Sequence, residues 1–433
     1  MAHDDDWNDD DSDGTDDPIW NPVDDPDENP WARFLREVSG ALASTATTFK
    51  DTLDDAVRAT PAWAVSDLAT RAAAFRLDRK MDKGTLRSTY VVPYRGFVAD
   101  GLAHIQVRVM EAPVVPEVSG ALVDPYLLQA NLRRFITLAF SGAQVTVEMP
   151  DGSESAVTDR HGYAAVHLRV DSLESGWHGY TAITVPAIPR GKAAIASGEV
   201  VAPDPKAPFA VISDLDDTVI RTGMTEGLAV VRRTLFGRAG TRHAIPGMAA
   251  LYSGLRDGAK GAAEPTFFYV STGPWSLYDM HVEFLNMQGF PKGPLFLTDW
   301  GPQERRVMRS GQEHKRLTIS RLFASFPNTK FLLIGDSGEH DPEIYVEAAH
   351  QYPDSVETII IRDVDDEKTE RATELARWRR RLARQGIDFN FVSDAGVAAR
   401  LLQKRGLVTH EVIDAVTAAL ADPDNDWPIP AVL

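Results

Sequence analysis

The hydrophobic positions of the chain change their period twice. Between Trp31 and about Val57 they fall at helical spacing, as Phe34, Leu35, Val38, Leu42, Phe49, Leu53 and Val57. Pro61 interrupts that pattern, and a second helical run extends from Trp63 to Phe75. From about Thr89 to Val185 apolar and polar residues alternate instead, in Ala103–Met110, Ala143–Met149, Ala164–Val170 and Tyr180–Val185. Alternation is the mark of a strand with one buried face. Turn signals separate these runs, notably Pro150-Asp-Gly152 and Asp159-Arg-His-Gly162. The pattern predicts N-terminal helices over residues 31–85 and a small antiparallel β-sandwich over 86–190. Five prolines, Pro186, Pro189, Pro203, Pro205 and Pro208, then predict a linker over 191–208 with at most one short strand.

After the linker, short apolar runs alternate with helical patterns, the signature of an α/β fold with a parallel sheet, expected to occupy 209–433. Candidate strands are Phe209–Ile212, Thr266–Val270, Leu295–Leu297, Phe331–Ile334, Thr358–Ile361 and Phe389–Val392. Helical patterns include Gly247–Leu255, Ser276–Met287, Lys315–Phe323 and Asp366–Gln385. Open sheets of this kind bind ligands beyond the carboxyl ends of their strands.

Polar residues gather at those ends. The first strand runs into Ser213-Asp-Leu-Asp-Asp-Thr218, the second into Val270-Ser-Thr-Gly-Pro274, and the fourth into Gly335-Asp-Ser-Gly-Glu-His-Asp341; Lys315 begins a helix between them. Asp214 and Asp216 are two apart, so on an extended backbone their carboxylates share a face. Crowded carboxylates repel unless a cation neutralises them, and oxygen ligands suit a hard metal ion. Each piece alone reads equally as a turn, a cap or a surface lysine. The order Asp-x-Asp, Ser/Thr, Lys, Gly-Asp at successive strand ends does not.

Charge and composition narrow the classes. The 433 residues carry a net charge of -18, but residues 1–30 hold twelve Asp, one Glu and no Lys or Arg. That stretch is expected to be a disordered acidic tail, and the remainder carries only -5. So mild a charge argues against a nucleic-acid footprint. Zero cysteines exclude disulfides, thiolate metal sites and a cysteine nucleophile. No run approaches the roughly 18 apolar residues of a membrane span, and the acidic start is unlike a secretory signal. The expected location is cytoplasmic, with peripheral contact at a membrane surface compatible. A P-loop nucleotide hydrolase is excluded by the lack of Gly-x-x-x-x-Gly-Lys-Ser/Thr.

The constellation resembles the haloacid dehalogenase phosphatase superfamily over roughly residues 209–395. Its longer phrases, Asp214–Val219, Pro246-Gly-Met248, Tyr269–Tyr278 and Leu333–Tyr345, look like the actin-patch-associated phosphatidate phosphatase family and its bacterial relatives. The resemblance implies a Rossmann-like, doubly wound sheet and a Mg²⁺-dependent phosphomonoesterase acting on phosphatidate-like lipid. It makes Asp214 the nucleophile and Asp216 the proton donor and acceptor, with Mg²⁺ held by Asp214, the Asp216 carbonyl and Asp336. Lys315 would supply positive charge, Ser271 a hydrogen bond to phosphate with Thr272 as the alternative, and Asp341 an anchor for Lys315 or a metal-bound water. Asp217 reads as a turn residue and Thr218 as a cap or a support of the metal shell. The proline-rich tail of the eukaryotic members has no counterpart here, so an actin-patch role is not carried over.

Substrate selection falls to the segments between. Residues 221–245 mix apolar side chains with arginines, Arg232, Arg233, Arg238 and Arg242 among them, either as a flap over the substrate or as a short helix on the body. Arg305, Arg306, Arg309, His314 and Arg316 form a basic cluster before Lys315, read as steering an anionic substrate or as surface ion pairs. Trp275 is a further pocket candidate, or packs the helix it begins together with Tyr278. Two rival readings remain: a phosphatase of a small soluble metabolite, and a non-catalytic scaffold that kept the fold.

Overall fold

The computed structural model describes residues 88–112, 138–171, 173–184, 193–221, 243–258, 263–298, 310–338, 340–364 and 369–422. The expected acidic tail and N-terminal helices lie outside the described residues, as do Arg305, Arg306, Arg309 and all but the ends of the 221–245 segment. The chain is mixed α/β, with one largely antiparallel and one parallel sheet.

The first sheet contains β1 (Thr89–Pro93), β2 (Gly96–Ala99), β3 (Leu102–Glu111), β4 (Gln144–Met149), β5 (Gly152–Val157), β6 (Tyr163–Arg169), β7 (Gly176–Thr184) and β8 (Ala194–Ala202). Alternation does what the sequence predicts. Along β3, Ala103, Ile105, Val107 and Val109 are buried, while the residues between them are partly exposed. Each such burial is worth about 1.5–3 kcal/mol for a Val- or Ile-sized side chain, before chain entropy is counted.

Instead of two separate sheets, the eight strands form one continuous sheet, in the order β1-β3-β2-β8-β7-β4-β5 with β6 on β3. It curls so that β3, β4, β6, β7 and β8 share one core. The strand that joins the halves is β8, antiparallel to β7 on one side and parallel to β2 on the other. Ala194–Ala202 thus occupies half of the expected linker, as the one strand allowed there but a longer one than expected, and the cause is clear. Its Ala, Ser and Gly residues give little alternation, and the prolines around it flank a strand without entering it. Gly198 is small for a reason: a Cβ there would fall 2.2 Å from the Tyr180 ring.

The parallel sheet consists of β9 (Ala210–Ser213), β10 (Phe267–Pro274), β11 (Leu295–Thr298), β12 (Phe331–Asp336), β13 (Val356–Arg362) and β14 (Asp388–Val392). Its order is β11-β10-β9-β12-β13-β14, with β9 central. The helices are α1 (Met248–Asp257), α2 (Tyr278–Met287), α3 (Ser310–Ser325), α4 (Asp341–Gln351), α5 (Thr369–Ala383), α6 (Ala395–Lys404) and α7 (His410–Ala421). Val211, Phe267, Tyr269, Leu332 and Ile334 face α1, α2, α6 and α7; Ala210, Ile212, Phe268, Val270 and Leu333 face α3, α4 and α5. Covering both faces explains why these strands read as unbroken apolar runs. All six candidate strands are present, and α4, α6 and α7 add to the helices named above.

Strand order reverses beside β9, which opens a crevice between the carboxyl ends of β9 and β12. The two sheets are not independent bodies, since Val92, Tyr94, Met110 and Tyr163 of the first belong to a core cluster of the second. No described helix is long and apolar enough to cross a membrane.

Candidate active site

The crevice is lined by charge that the fold has buried. Asp214, Asp216, Asp336 and Asp341 are each at most 2% exposed, and Lys315 is 1% exposed. Among the described residues, four buried carboxylates therefore share one region with a single buried ammonium, and the Arg362 guanidinium acts on Asp336 from its edge. Buried charges are costly unless paired, so such a cluster persists only where other interactions hold it.

Asp214 and Asp216 follow β9 directly. The Asp214 N–H donates to the Ile334 carbonyl of β12 (2.9 Å), so the nucleophile candidate is tied to the neighbouring strand. After Asp216 the chain turns sharply. Asp217 takes a left-handed backbone (φ 50°), its N–H donates to the Ile220 carbonyl (2.8 Å), and its own carbonyl accepts from Arg362 Nε (2.8 Å). Asp217 is thus a turn residue in the structure. Beyond it Thr218 Oγ1 makes a long 3.4 Å contact to Asp336 Oδ2.

Lys315, on α3, reaches across the crevice to two acids. Its Nζ lies 2.8 Å from Asp214 Oδ1 and 2.6 Å from Asp341 Oδ1. Asp341 opens α4 next to a Pro at the first turn, where the helix dipole favours an anion. Gly335 makes room for it, since a Cβ there would lie 2.4 Å from Asp341 Oδ2. Asp336 ends β12 and accepts the Gly338 N–H (2.7 Å).

On the opposite side, β10 delivers the hydroxyls. Ser271 Oγ donates to Asp216 Oδ2 (2.8 Å) and accepts the Gly273 N–H (2.9 Å), which places this serine against the proposed proton carrier. Thr272 is also buried, and its carbonyl accepts from Thr298 Oγ1 (2.7 Å), tying the end of β10 to β11. Asp214, Asp336 and Asp341 each offer an oxygen, all within 4.8 Å of one another. A set of hard, anionic oxygen donors around an excess of negative charge fits a hard divalent cation.

Several supporting side chains carry no sequence signal of their own. Ser213 Oγ donates to the Asp214 carbonyl (2.6 Å) and pairs with Tyr252 Oη (2.7 Å) behind the site. Burial pushes the Tyr252 hydroxyl far above the usual tyrosine range, so it remains a neutral donor or acceptor at any working pH. Tyr345 Oη donates to the same Ile334 carbonyl that holds Asp214 (3.0 Å). A tyrosine one turn into a helix or an arginine at a strand end looks like any other; only the fold brings Tyr345 and Arg362 to the crevice.

The proposed substrate contacts fare differently. Trp275 packs between the two sheets, its ring 4.3 Å from Tyr94 and 6.0 Å from Tyr278. Arg305 and Arg306 lie outside the described residues. Of the rest of that basic cluster, Arg316 pairs with Glu347 across α3 and α4 (2.7 Å). Burial pushes the His314 imidazole down to about 4, so it is neutral near pH 7. Neither of these two contributes a free positive charge to a steering field.

A match to a known family falls on this part of the chain. Residues 209–363 match the family model described as the catalytic domain of phosphatidate phosphatase APP1. Phosphatidate phosphatase APP1 of Saccharomyces cerevisiae is 35% identical over 153 residues, 35% of this chain and 25% of that protein. An uncharacterized protein of Schizosaccharomyces pombe is 28% identical over 157 residues, 36% of this chain and again 25% of the relative. The chain thus spans about a quarter of the length of the curated relatives it matches. Among solved structures, the PilB minor pilin from Streptococcus sanguinis is 9% identical and covers 86% of this chain and 99% of its own, at a TM-score of 0.24. A likeness that low says nothing about this fold or its chemistry.

Proposed function

We propose that the chain is a Mg²⁺-dependent phosphomonoester hydrolase of phosphatidate-like lipid, working through an aspartyl-phosphate on a doubly wound, haloacid dehalogenase-like domain. The observation that carries this reading is the pair of contacts on either side of the crevice. Lys315 bridges Asp214 and Asp341 on one side, and Ser271 holds Asp216 on the other. That geometry lies within the stretch matching a phosphatidate phosphatase catalytic domain, which supplies the substrate class.

Phosphomonoester hydrolysis needs up to ~10²¹-fold acceleration. An oxygen of Asp214 attacks phosphorus in line, the bond to the lipid oxygen breaks, and Asp216 gives its proton to that departing alkoxide. Water then attacks the phosphoryl-aspartate, Asp216 takes the water's proton, and inorganic phosphate leaves with Asp214 restored. Lys315 keeps Asp214 ionised and offsets charge on the transferring oxygens, while Ser271 orients Asp216 and donates to phosphate as it arrives. Mg²⁺, held by Asp214, Asp336 and the Asp216 carbonyl, with Asp341 close by, would supply the charge that lets an anionic ester approach an anionic carboxylate. The location we assign is cytoplasmic, with peripheral contact at the membrane that carries the substrate.

The test is phosphate release from phosphatidate in mixed micelles and from a panel of soluble esters, with Mg²⁺ and with chelator. Turnover on phosphatidate that needs Mg²⁺ and disappears in Asp214→Asn is the expected result. Preference for soluble esters would remove the lipid assignment and keep the mechanism. Turnover unchanged in Asp214→Asn would overturn the mechanism itself.

A further inference from the structure

The hydroxyl-bearing end of β10 is gripped from outside its own sheet. Tyr94, between β1 and β2, is 2% exposed, and its ring lies 4.3 Å from Trp275 and 4.7 Å, edge-on, from Tyr278. Trp275 is the residue immediately after Pro274, the last of β10. The next residue along from Tyr94, Arg95, donates its N–H to Tyr278 Oη (2.8 Å), and burial holds that phenol up at about 12, so it stays protonated. Tyr94 is fixed in turn by its own sheet: its N–H donates to the Gln106 carbonyl (3.1 Å) and its carbonyl accepts from Tyr180 Oη (2.6 Å).

A second grip lies on the other side of Ser271. Phe97, in β2, packs edge-on against Phe268 of β10 (5.9 Å) and against Phe326 after α3 (5.7 Å). Within Tyr94–Phe97, Phe97 thus contacts β10 ahead of Ser271, and Tyr94 contacts Trp275, the first residue past the end of β10. Lys292 adds a rim contact, pairing with Glu199 of β8 and lying 4.4 Å from the Trp177 ring centroid of β7.

From this bracket we infer that the Tyr94–Phe97 segment is a positioning element for Ser271–Pro274, so that the antiparallel sheet takes part in setting the Ser271–Asp216 contact. The physical argument is that of a supporting shell. A hydroxyl can orient a carboxylate only while its own backbone is held, and a displacement near 1 Å at a reacting group costs about 10²-fold. Within the parallel sheet, β10 pairs with β9 at Phe267–Tyr269 and with β11 at Tyr269, Val270 and Pro274. Ser271, Thr272 and Gly273 fall in the irregular gap of that ladder. The aromatic bracket spans this gap. Tyr94 touches none of the reacting groups and acts through Trp275 and Tyr278.

The inference rests on the proposed hydrolase reading for its kinetic arm and is independent of it for its structural arm. In the full chain, Tyr94→Ala is expected to lower kcat by about 10- to 100-fold with KM changed less than about threefold, while Tyr94→Phe stays within about twofold of wild type. Tyr94→Leu, which keeps the bulk without the ring, is run beside it and decides the outcome if the alanine variant does not fold. Val147→Ala, deep in the antiparallel core, is the control for general destabilisation: its Tm falls and its kcat stays within about twofold. Amide hydrogen exchange of peptides covering 271–278 is measured on the same proteins, with faster exchange expected for the Tyr94 variants alone. Wild-type kcat and wild-type exchange in those variants would overturn the inference, as would a Val147→Ala protein that moves both readouts equally. If wild-type protein hydrolyses no ester, the catalytic reading falls and the exchange result alone decides whether the bracket holds the end of β10.

Discussion

The two sheets treat buried charge in opposite ways. Among the described residues of the antiparallel unit, Glu111 is the one carboxylate in the buried set. At the carboxyl ends of β9 and β12, four aspartates and a lysine are buried together. Both units bury their apolar faces by the same physics, yet among the described residues only the parallel one gathers several buried charges in one place. A protein retains such a cluster for what it does, and the difference separates the unit that packs and supports from the one that carries the candidate reacting groups.

The largest effect should come from paired substitutions, one in each region. Asp214→Asn should reduce turnover by about 10⁴-fold or more while leaving stability equal or higher, because it removes one charge from an over-negative cluster. Val147→Ala should do the reverse, costing about 1–3 kcal/mol of stability with kcat preserved. Urea denaturation and steady-state kinetics on both proteins check this. A large loss of stability in Asp214→Asn would erase the contrast between the regions.

A smaller effect is expected from pH. The His314 imidazole sits near 4 in the folded chain, mainly because it is buried, against about 6.5 when unfolded. Above pH 6.5 the ring is neutral in both states and contributes no pH dependence. As pH falls below that, only the unfolded chain binds the proton, so stability drops progressively down to about pH 4, by on the order of 3 kcal/mol. His314→Gln should flatten this part of the profile, read from urea midpoints between pH 7 and 4.5. A profile as steep as that of wild type would assign the acid sensitivity to other groups. The smallest effect belongs to the exposed pair Arg316–Glu347, where Arg316→Ala should change stability by less than about 1 kcal/mol. A loss of turnover in that variant would restore Arg316 as a steering charge.

Much of this was legible in the chain because it was written in contiguous residues. An apolar run ending in Asp-x-Asp, another ending in Ser-Thr-Gly-Pro, and Gly-Asp after a third announce chemistry together, by their order at successive strand ends, though none does so alone. That Ser271 rather than Thr272 meets Asp216 was not legible, because one residue of register decides it and β10 is irregular there. Strand β8 was hidden by small residues and flanking prolines. Trp275 was legible as an aromatic beside the site, but its partner Tyr94 comes from a different sheet, and no local pattern reports a contact across that distance in sequence. The same holds for Arg362, whose role depends on the left-handed turn at Asp217.

The central place of β9 also constrains how the chain comes to be folded. Its neighbours are β10 and β12, so the first strand of the parallel sheet to be synthesised waits for residues up to Asp336 before both its edges are paired. Such non-local pairing is slow and leaves an apolar strand exposed in the meantime. The strand just before it, β8, is by contrast the last that the curled sheet needs, and a few residues link the two. During synthesis all eight strands of the curled sheet have therefore been made when β9 emerges, and Tyr94 and Phe97 are present before β10 is. The order of the two units along the chain thus lets the earlier one be available as a surface before the later one can close.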